Sequence, residues 1–433
     1  MNNVYDYLRW RVDLSLAERP FNEVDNLLLS LLSYIDLKGI VPAPGEGSVS
    51  LAEAAERYFA ERGAPVETEG HNADTAVEWP WMFHLMSQTA RFSGMRLSCM
   101  ADILDASADK QFSALTIEHE PGQLYVAFRG TSDDLAGWKE DFLLACEPEI
   151  PSHEEALRYL AAVAALYPEH TLMVGGHSKG GNLAVYAAVM ADDAVKARIR
   201  TIWNNDGPGF QDAFVHSGPY MAMEGRICKI VPRSSLVGLL LSQRKPDLIV
   251  DSFQTGMLQH DGISWEVSRD RFTHLPELSP ESLRVQAQIH DWLDHLDIAT
   301  RRRFVDALFD TLSASGAETV SDIMSGALKA LSASGNALKA MDKDMRDRVV
   351  DFIRLLIQVW SEMESESRRE QTQKALGAFT QSLQYFQKNL VMPGLQKLQQ
   401  NAGTRRGLLL KKAGKAGDVE PDAGTDAPDG QKA

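Results

Sequence analysis

One short stretch of the chain has the residue types and spacing of a nucleophile turn. Residues 171–188 read TLMVGGHSKGGNLAVYAA, so Ser178 lies within a Gly-x-Ser-x-Gly pattern between an apolar strand and a helix. This pattern is typical of a serine exposed at a sharp strand-to-helix turn. A serine hydroxyl is a poor nucleophile near neutral pH, so it needs a general base, an orienting acid and an oxyanion hole. We therefore predict Ser178 as a catalytic nucleophile, with a glycine-rich βα turn without chemistry as the alternative.

The helix after this turn supplies one predicted oxyanion donor. A helix that begins at Lys179 aims its first backbone N–H groups at the reacting centre. The amide of Lys179 is therefore the predicted donor, whatever its side chain does. His177, which precedes the nucleophile, is expected to shape the turn.

A second motif lies upstream, where residues 126–142 read VAFRGTSDDLAGWKEDF. Arg129-Gly130-Thr131, followed by Trp138-Lys139-Glu140-Asp141, resembles the signature of class 3 (fungal-type) lipases. With GHSKGG and the N-terminal FNEVDNLLLSLLSYID, the chain resembles an uncharacterised bacterial family of lipase-like α/β-hydrolases across roughly residues 20–275. The resemblance implies that Thr131 supplies the other oxyanion donor. It also implies that Arg129 and Asp141 are structural and hold that loop in place.

The general base is expected late in the chain, because hydrolases of this fold run in the order serine, acid, histidine. Of the 11 histidines, His260 in MLQHDGISWEV is the best placed. This segment resembles the lipase segment in which the catalytic histidine shortly precedes a tryptophan, here Trp265. His216 and His274 are weaker alternatives, and a surface histidine is the non-catalytic interpretation of His260.

The orienting acid is the point at which the sequence departs from the lipase pattern. Class 3 lipases carry an Asp-Ile-Val-Pro-like segment, and the corresponding segment here is Ser235-Leu236-Val237-Gly238. Asp206 ends the strand that follows the nucleophile helix, so its carboxylate can reach the same histidine from the neighbouring strand end. Asp251 is the alternative acid and Asp247 the third candidate. An Asx-turn that stabilises its own loop is the non-catalytic interpretation of Asp206.

Sequence periodicity predicts the elements that position these residues. Strands alternate with helices in the middle of the chain, which predicts an α/β fold of the α/β-hydrolase type, with a mainly parallel sheet flanked by helices. The predicted strands are 112–119 and 124–131, joined as a hairpin, then 171–175, 198–206, 226–232 and 247–253. The predicted helices are 22–36 with Asn22 as its cap, 50–62, 80–92, 152–166 with Ser152 as its cap, and 179–190.

The same patterns divide the chain into four parts. Residues 1–95 form an N-terminal helical segment packed on the hydrolase core, which covers 96–275. From Ser279-Pro280-Glu281 onward the pattern is helical only, so 276–400 is an all-α C-terminal region. Residues 401–433 are basic, then acidic and rich in Pro and Gly, which predicts a disordered tail. Leu408-Leu409-Leu410 within it could touch a membrane surface, although a solvated tail is favoured.

Composition excludes several classes of function. A net charge of −16 over 433 residues argues against nucleic acid as the main partner. The N-terminus lacks the apolar core of a signal peptide, and no window reaches the ~18 apolar residues of a transmembrane helix. Cys99, Cys146 and Cys228 have no CxxC spacing, which predicts buried, inert thiols in a reducing compartment. We therefore expect a cytoplasmic protein.

No cofactor and no metal are expected. Zinc, calcium and dinucleotide-binding motifs are absent from the sequence. His290 with Asp294, and Asp291 with His295, have helical i,i+4 spacing, but a solvated helix face is the commoner explanation.

The sequence thus predicts a serine hydrolase of the lipase or carboxylesterase type. Its substrate would be a small-molecule acyl ester or a lipid-like ester, cleaved through an acyl-enzyme intermediate. The alternative is a catalytically weak or inactive hydrolase fold that acts as a binding or scaffold module through its helical C-terminal region. The serine at the expected aspartate position favours that alternative, and a fold by itself does not fix a function.

Overall fold

A nine-stranded mixed sheet forms the centre of the structure. The structure is a computed structural model, and it describes residues 2–10, 13–65, 75–105, 110–131, 135–294, 296–314 and 341–349. All of these residues belong to one unit, 1–365. The strands are β1 (Ser48–Ser50), β2 (Arg96–Asp105), β3 (Lys110–Glu120), β4 (Gln123–Phe128), β5 (Thr171–His177), β6 (Ile199–Asn205), β7 (Ile227–Pro232), β8 (Leu248–Val250), β9 (Val267–Ser268), β10 (Arg271–Phe272) and β11 (His274–Leu275).

The strand order in the sheet is β1-β2-β3-β4-β5-β6-β7-β8-β11, and β9 pairs with β10 separately. The strands from β4 to β8 are parallel to one another. Antiparallel strands flank this block on both sides, namely β1 to β3 and β11. The predicted hairpin is present: β3 and β4 are joined at Pro121-Gly122, with Gly122 at a φ of 77°. The predicted α/β-hydrolase-like fold is therefore confirmed, and its antiparallel edges are an addition to the sequence prediction.

The helices lie before, between and after these strands. They are α1 (Val4–Trp10), α2 (Glu23–Leu32), α3 (Leu51–Arg62), α4 (Thr75–Ser87), α5 (Leu135–Leu143), α6 (Pro151–Leu166), α7 (Lys179–Met190), α8 (Asp193–Lys196), α9 (Asp212–Val215), α10 (Gly218–Met223), α11 (Pro280–Asp294) and α12 (Ile298–Ala314). Residues 343–349 are also helical.

Two hydrophobic cores cover the two faces of the sheet. Along β4, Leu124, Val126 and Phe128 belong to the core that also contains residues of α6 and α7. Tyr125 and Ala127 belong to the core that contains residues of α1 to α4. This alternation follows from the period of two in a β-strand, and the continuous apolar run reflects a strand buried on both faces.

The helix predicted over 22–36 begins as expected and ends earlier. The Asn22 side chain accepts hydrogen bonds from Val24 and Asp25, and Asp25 completes the capping box. α2 ends at Leu32, where the Ser33 hydroxyl donates to the carbonyl of Ser30 over 2.7 Å. The turn that follows leaves Tyr34 outside the helix.

Two other helix predictions are wrong at their ends. α4 covers Thr75–Ser87 rather than 80–92, and it ends where the Ser87 hydroxyl donates to the carbonyl of His84 over 2.7 Å. α6 begins at Pro151 after Ile150, so Ser152 is not its cap. The Ser152 hydroxyl instead donates to Glu140 over 2.6 Å. A tertiary partner thus replaces the local capping contact.

The predicted start of the C-terminal helices agrees with the structure. The Ser279 hydroxyl accepts a hydrogen bond of 3.1 Å from the amide of Ser282 at the start of α11. The periodic stretch 304–312 lies within α12. The predictions for 315–340 and 350–433, including the tail, and those for His295 lie outside the described residues. None of the helices in the described ranges is long and apolar enough to cross a membrane.

Candidate active site

Ser178 connects the carboxyl end of β5 to the first residue of α7. Its φ of 58° lies in a region that non-glycine residues rarely adopt. Its amide donates to the carbonyl of Asn205 over 2.9 Å, which fixes the turn to the end of β6. A Cβ atom at Gly176 or Gly180 would collide with backbone atoms of Gly180 or Phe128, so the helix can approach the strands only because both positions are glycine. The local structure is therefore that of a nucleophile turn.

His260 and Asp206 lie within hydrogen-bond distance of each other. The His260 Nδ1 is 2.6 Å from the Asp206 Oδ2. The Asp206 carboxylate is fully buried, whereas 25% of the His260 side chain is exposed. A carboxylate at Nδ1 holds the ring in the tautomer whose Nε2 accepts a proton, and it stabilises the imidazolium that then forms. This pair has the geometry of the base and acid of a catalytic triad.

His177 links the nucleophile turn to the backbone of His260. Its Nε2 is 2.7 Å from the carbonyl oxygen of His260, and the two rings are 4.7 Å apart. A carbonyl only accepts hydrogen bonds, so the Nε2 of His177 carries the proton. Burial, with a further contribution from His260, lowers the pKa of His177 to about 3. His177 is therefore neutral and holds His260 beside the turn that contains Ser178.

Tyr34 reaches the same turn from the end of α2. Its hydroxyl is 3.2 Å from the carbonyl oxygen of His177 and 3.3 Å from the Nδ1 of that residue. Its ring lies 4.4 Å from that of Trp79. Burial raises the pKa of Tyr34, so the hydroxyl keeps its proton and can donate to His177. Sequence reasoning missed Tyr34 because its helical spacing gave no sign of a contact with the turn.

The segment 235–238 contacts the carboxylate of Asp206. The Ser235 hydroxyl donates to the Asp206 Oδ1 over 2.5 Å. A Cβ atom at Gly238 would collide with that same carboxylate oxygen, so the backbone can approach Asp206 only at glycine. The serine at the position where class 3 lipases carry aspartate therefore hydrogen-bonds to a carboxylate from the neighbouring strand.

The other two candidate acids have different partners. The Asp251 Oδ1 accepts from the amide of Ser252 over 2.9 Å. The Asp247 carboxylate accepts from the amide of Lys229 and from the guanidinium of Arg244, each over 2.8 Å. The carboxylate at hydrogen-bond distance from His260 is that of Asp206.

Lys229 lies on β7 close to the acid and was missed from the sequence. It is 2% exposed, and its Nζ donates to the carbonyl of Gly207 over 2.8 Å and to the side chain of Gln243. Burial lowers its pKa to about 7, opposed by the charges of Asp206 and Asp247. A lysine inside the apolar strand RICKIVP was the available signal, since buried lysines nearly always have partners.

The loop Arg129-Gly130-Thr131 lies against the nucleophile turn. A Cβ atom at Gly130 would be 3.0 Å from the Cβ of Ser178 and 2.6 Å from the carbonyl oxygen of His177. The Thr131 hydroxyl donates to the carboxylate of Asp141 over 2.9 Å. Burial raises the pKa of Asp141 to about 7. The two predicted oxyanion donors, Thr131 and Lys179, thus lie on segments that meet at Ser178.

Arg129 holds the same loop from the other side. Its guanidinium forms an ion pair of 3.0 Å with Asp102 on β2. With the bond between Asp141 and Thr131, this contact agrees with the structural role that the lipase resemblance implies for Arg129 and Asp141.

The side chain of Lys179 forms a fully buried ion pair. Its Nζ is 2.6 Å from the Glu140 Oε2, and neither side chain is exposed. The same ammonium donates to the carbonyl of Gln111 over 3.2 Å. Glu140 was missed from the sequence, although it stands inside the Trp-Lys-Glu-Asp motif.

The remaining sequence candidates lie in other surroundings. His216 is exposed and pairs with Asp212, and His274 pairs with Glu23 over 2.7 Å. Cys99 and Cys146 are buried free thiols, whereas Cys228 is partly exposed. The part of the chain that the structure describes has no cluster of histidine, cysteine and acidic residues suited to a metal ion.

Comparison with known proteins gives matches to several solved structures and to one protein family. A search of curated protein sequences finds no match. Solved structures with some similarity include a Rhizomucor miehei lipase propeptide complex (16% identity, 37% of this chain and 57% of that one, TM-score 0.27). They also include M37 lipase, at 13% identity over 49% of this chain and 68% of that one, with a TM-score of 0.30. Lip2 lipase from Yarrowia lipolytica matches at 15% identity over 43% of this chain and 84% of that one, with a TM-score of 0.27. This chain thus spans little more than half of the Rhizomucor protein.

A protein-family model gives the more extensive match. It covers residues 86–310, which are 225 of the 433 residues of the chain. The matched range contains the nucleophile turn, the Arg-Gly-Thr loop, Asp206 and His260. The chain belongs to the Mbeg1-like family.

Proposed function

We propose that the protein is a serine hydrolase of the lipase or carboxylesterase type. The observation that carries this proposal is the 2.6 Å contact between His260 and the buried Asp206, with the His260 backbone bound to His177, which directly precedes Ser178 at a strand-to-helix turn. A base oriented by a buried carboxylate next to an activated serine is the arrangement that acyl transfer requires. The substrate class is a small-molecule acyl ester or a lipid-like ester.

In the proposed reaction these groups act in two steps. The Nε2 of His260 takes the proton of the Ser178 hydroxyl as the oxygen attacks the acyl carbon. The amides of Thr131 and Lys179 stabilise the oxyanion, and His260 returns the proton to the departing alcohol. Water, activated by the same histidine, then releases the acid from Ser178. Asp206 stays ionised and stabilises the imidazolium in both steps.

The setting of the reaction belongs to the same proposal. An acidic chain with three unpaired thiols is consistent with a cytoplasmic protein that does not bind nucleic acid. The groups named in the mechanism are all protein groups, and they need no added cofactor for the two proton transfers.

The scaffold alternative rested on Ser235 at the position where class 3 lipases carry aspartate. The hydrogen bond from Ser235 to Asp206 fits the proposal, because it would let that serine support the carboxylate as the orienting acid. The alternative therefore loses the sequence feature that favoured it.

A fluorophosphonate probe tests the proposal. We expect it to label the folded wild-type protein and to leave Ser178→Ala unlabelled. Ser252→Ala is the matched control, because Ser252 is buried and hydrogen-bonds to Ser264. We expect this control to be labelled as fast as the wild type. Wild-type protein that is folded and yet unlabelled would overturn the proposed function.

A further inference from the structure

Two adjacent acidic residues on α5 each bind one residue of the proposed oxyanion hole. Asp141 accepts from the hydroxyl of Thr131 over 2.9 Å. Glu140 forms the ion pair of 2.6 Å with the ammonium of Lys179. One helix therefore contacts both of the segments whose amides must converge on an oxyanion.

Glu140 is itself held by two other elements. Its Oε1 accepts from the hydroxyl of Ser152 over 2.6 Å and from the amide of that residue over 3.2 Å, at the start of α6. Its Oε2 accepts from the amide of Gln111 on β3 over 3.3 Å. The carboxylate thus has a fixed position, and the long side chain of Lys179 is tied to it at the far end.

Stability alone does not account well for this ion pair. Burial of two charges carries a desolvation cost that their attraction offsets only in part, and apolar replacements of such pairs are often neutral or stabilising. Lys179 is the first residue of α7, so its amide is one of the N–H groups that have no partner within the helix. A contact that fixes Lys179 therefore fixes the direction of a donor that is free to bind an oxyanion.

We propose that the side chains of Glu140 and Lys179 are positioning groups. Their buried ion pair ties the start of α7 to α5, which also holds Thr131, and it thereby fixes the position of the Lys179 amide relative to the Thr131 loop. This inference rests on the proposed function, because it concerns the oxyanion hole of that reaction. The pair acts on the geometry of the donors, so its loss affects the transition state more than the binding of substrate. A displacement of about 1 Å in such a site can cost about 100-fold in rate.

The test removes both charges together, in Lys179→Met combined with Glu140→Gln. We expect fluorophosphonate labelling of Ser178 to slow at least about tenfold, and the Ki of a trifluoromethyl ketone to rise by a similar factor. KM for a short acyl ester should stay within about twofold of the wild type. Such a split between transition-state and ground-state effects would not follow from a merely structural role.

A second buried ion pair provides the matched control. The Arg91 and Asp25 side chains are 1% and 0% exposed, and they join α2 to the turn that follows α4. The hydrogen bonds and ion pairs of the described residues do not connect this pair to Glu140 or Lys179. The variant Arg91→Met with Asp25→Asn should lose stability, because Arg91 also donates to three backbone carbonyls and Asp25 completes the capping box of α2. Its folded fraction should be labelled at the wild-type rate. Glu140→Asp keeps both charges but shortens the reach, so it tests the same geometry if the neutral pair fails to fold. We expect it to slow labelling as well.

The outcomes separate the two proposals. Unlabelled but folded wild-type protein overturns the proposed function and this inference with it. The positioning role alone is overturned if the wild type is labelled normally and the Lys179/Glu140 variant or Glu140→Asp is labelled at the same rate as the wild type. Equal slowing in the Arg91/Asp25 control also overturns it, because any buried ion pair would then have the same effect.

Discussion

Ser178 and Asp206 share a backbone feature that most residues avoid. Both have a positive φ, 58° for Ser178 and 51° for Asp206. Such conformations cost about 1–3 kcal/mol and persist where the surrounding structure enforces them. Here the amide of Ser178 donates to the carbonyl of Asn205, and that of Asp206 to the carbonyl of Ile230 over 2.8 Å. Both positions where we expect the nucleophile and the acid therefore carry this strain, which among the described residues also occurs at Cys99, Leu241 and Arg269.

His153 supports the turn after Asp206 from α6. Its Nε2 lies 2.7 Å from the Oδ1 of Asn182, and its ring stacks on that of Tyr186 at 4.0 Å. The Asn182 amide group in turn donates to the carbonyl of Gly209 over 2.8 Å. Burial lowers the pKa of His153 to about 4.

This lowered pKa predicts a pH-dependent contribution to stability. Between its folded value and the ordinary value of about 6.5, the unfolded chain binds a proton that the folded protein does not. The contribution of His153 to the free energy of unfolding therefore falls as the pH falls through this range. We expect the stability difference between wild type and His153→Gln to shrink from about pH 7 to about pH 5, by at most about 1.4 kcal/mol per pH unit. Urea unfolding measures it, and a difference that does not vary with pH would contradict this assignment.

The residue types at the site were predictable to different degrees. Asp206 could be ranked first among three acids because neighbouring parallel strands end at the same edge of a sheet. The side-chain partner of Lys179 could not be predicted, because Glu140 is 39 residues away in sequence and gives no local signal. Tyr34 was missed for the same reason, since it acts through a tertiary contact. Lys229 was missed although its place in an apolar strand was a local signal, because that signal does not identify its partners.

At the scale of elements, the fit of α7 against the sheet decides where Ser178 lies. A Cβ atom at Gly180 would collide with the carbonyl group of Phe128, at the end of β4. The helix must therefore move away from the strands if this glycine acquires a side chain.

Gly180→Ala should for this reason lower both stability and reactivity. We expect a loss of about 1–3 kcal/mol in the free energy of unfolding, as for other overpacked sites. Labelling of Ser178 should slow in the folded fraction, because the turn moves with the helix. Gly94→Ala is the control, since a Cβ atom there meets nothing within 4 Å. Equal effects at the two positions would show that close packing at Gly180 is not the cause.

The elements that were predicted well are those whose signal is local. The central strands and α7 have apolar runs bounded by turn residues, and the hairpin at Pro121-Gly122 has a turn sequence of its own. β2 and the antiparallel edges were missed, because pairing at a sheet edge depends on distant partners. The start of α6 was misassigned because Ser152 fits a capping pattern, although its hydroxyl binds Glu140.

At the scale of the whole molecule, the strand order brings the site together. β5, β6 and β7 are neighbours, so Ser178, Asp206 and Ser235 follow strands that end at one edge of the sheet. His260 lies in the segment after β8, on the far side of β7 from β6 in the sheet, and its ring contacts Asp206 at the end of β6. Helices on both faces hold the sheet between two hydrophobic cores. Residues that are 82 positions apart in sequence, such as Ser178 and His260, can therefore serve one reaction.

Turnover of a short acyl ester tests this account most directly, in wild type, Asp206→Asn and Asp251→Asn. We predict that the wild type hydrolyses the ester and that Asp206→Asn lowers kcat at least tenfold, about 1.4 kcal/mol of barrier, because asparagine cannot hold the required tautomer of His260. Asp251→Asn should keep kcat within about twofold of the wild type. A folded wild type without turnover, or a loss in Asp251→Asn as large as that in Asp206→Asn, would contradict the account.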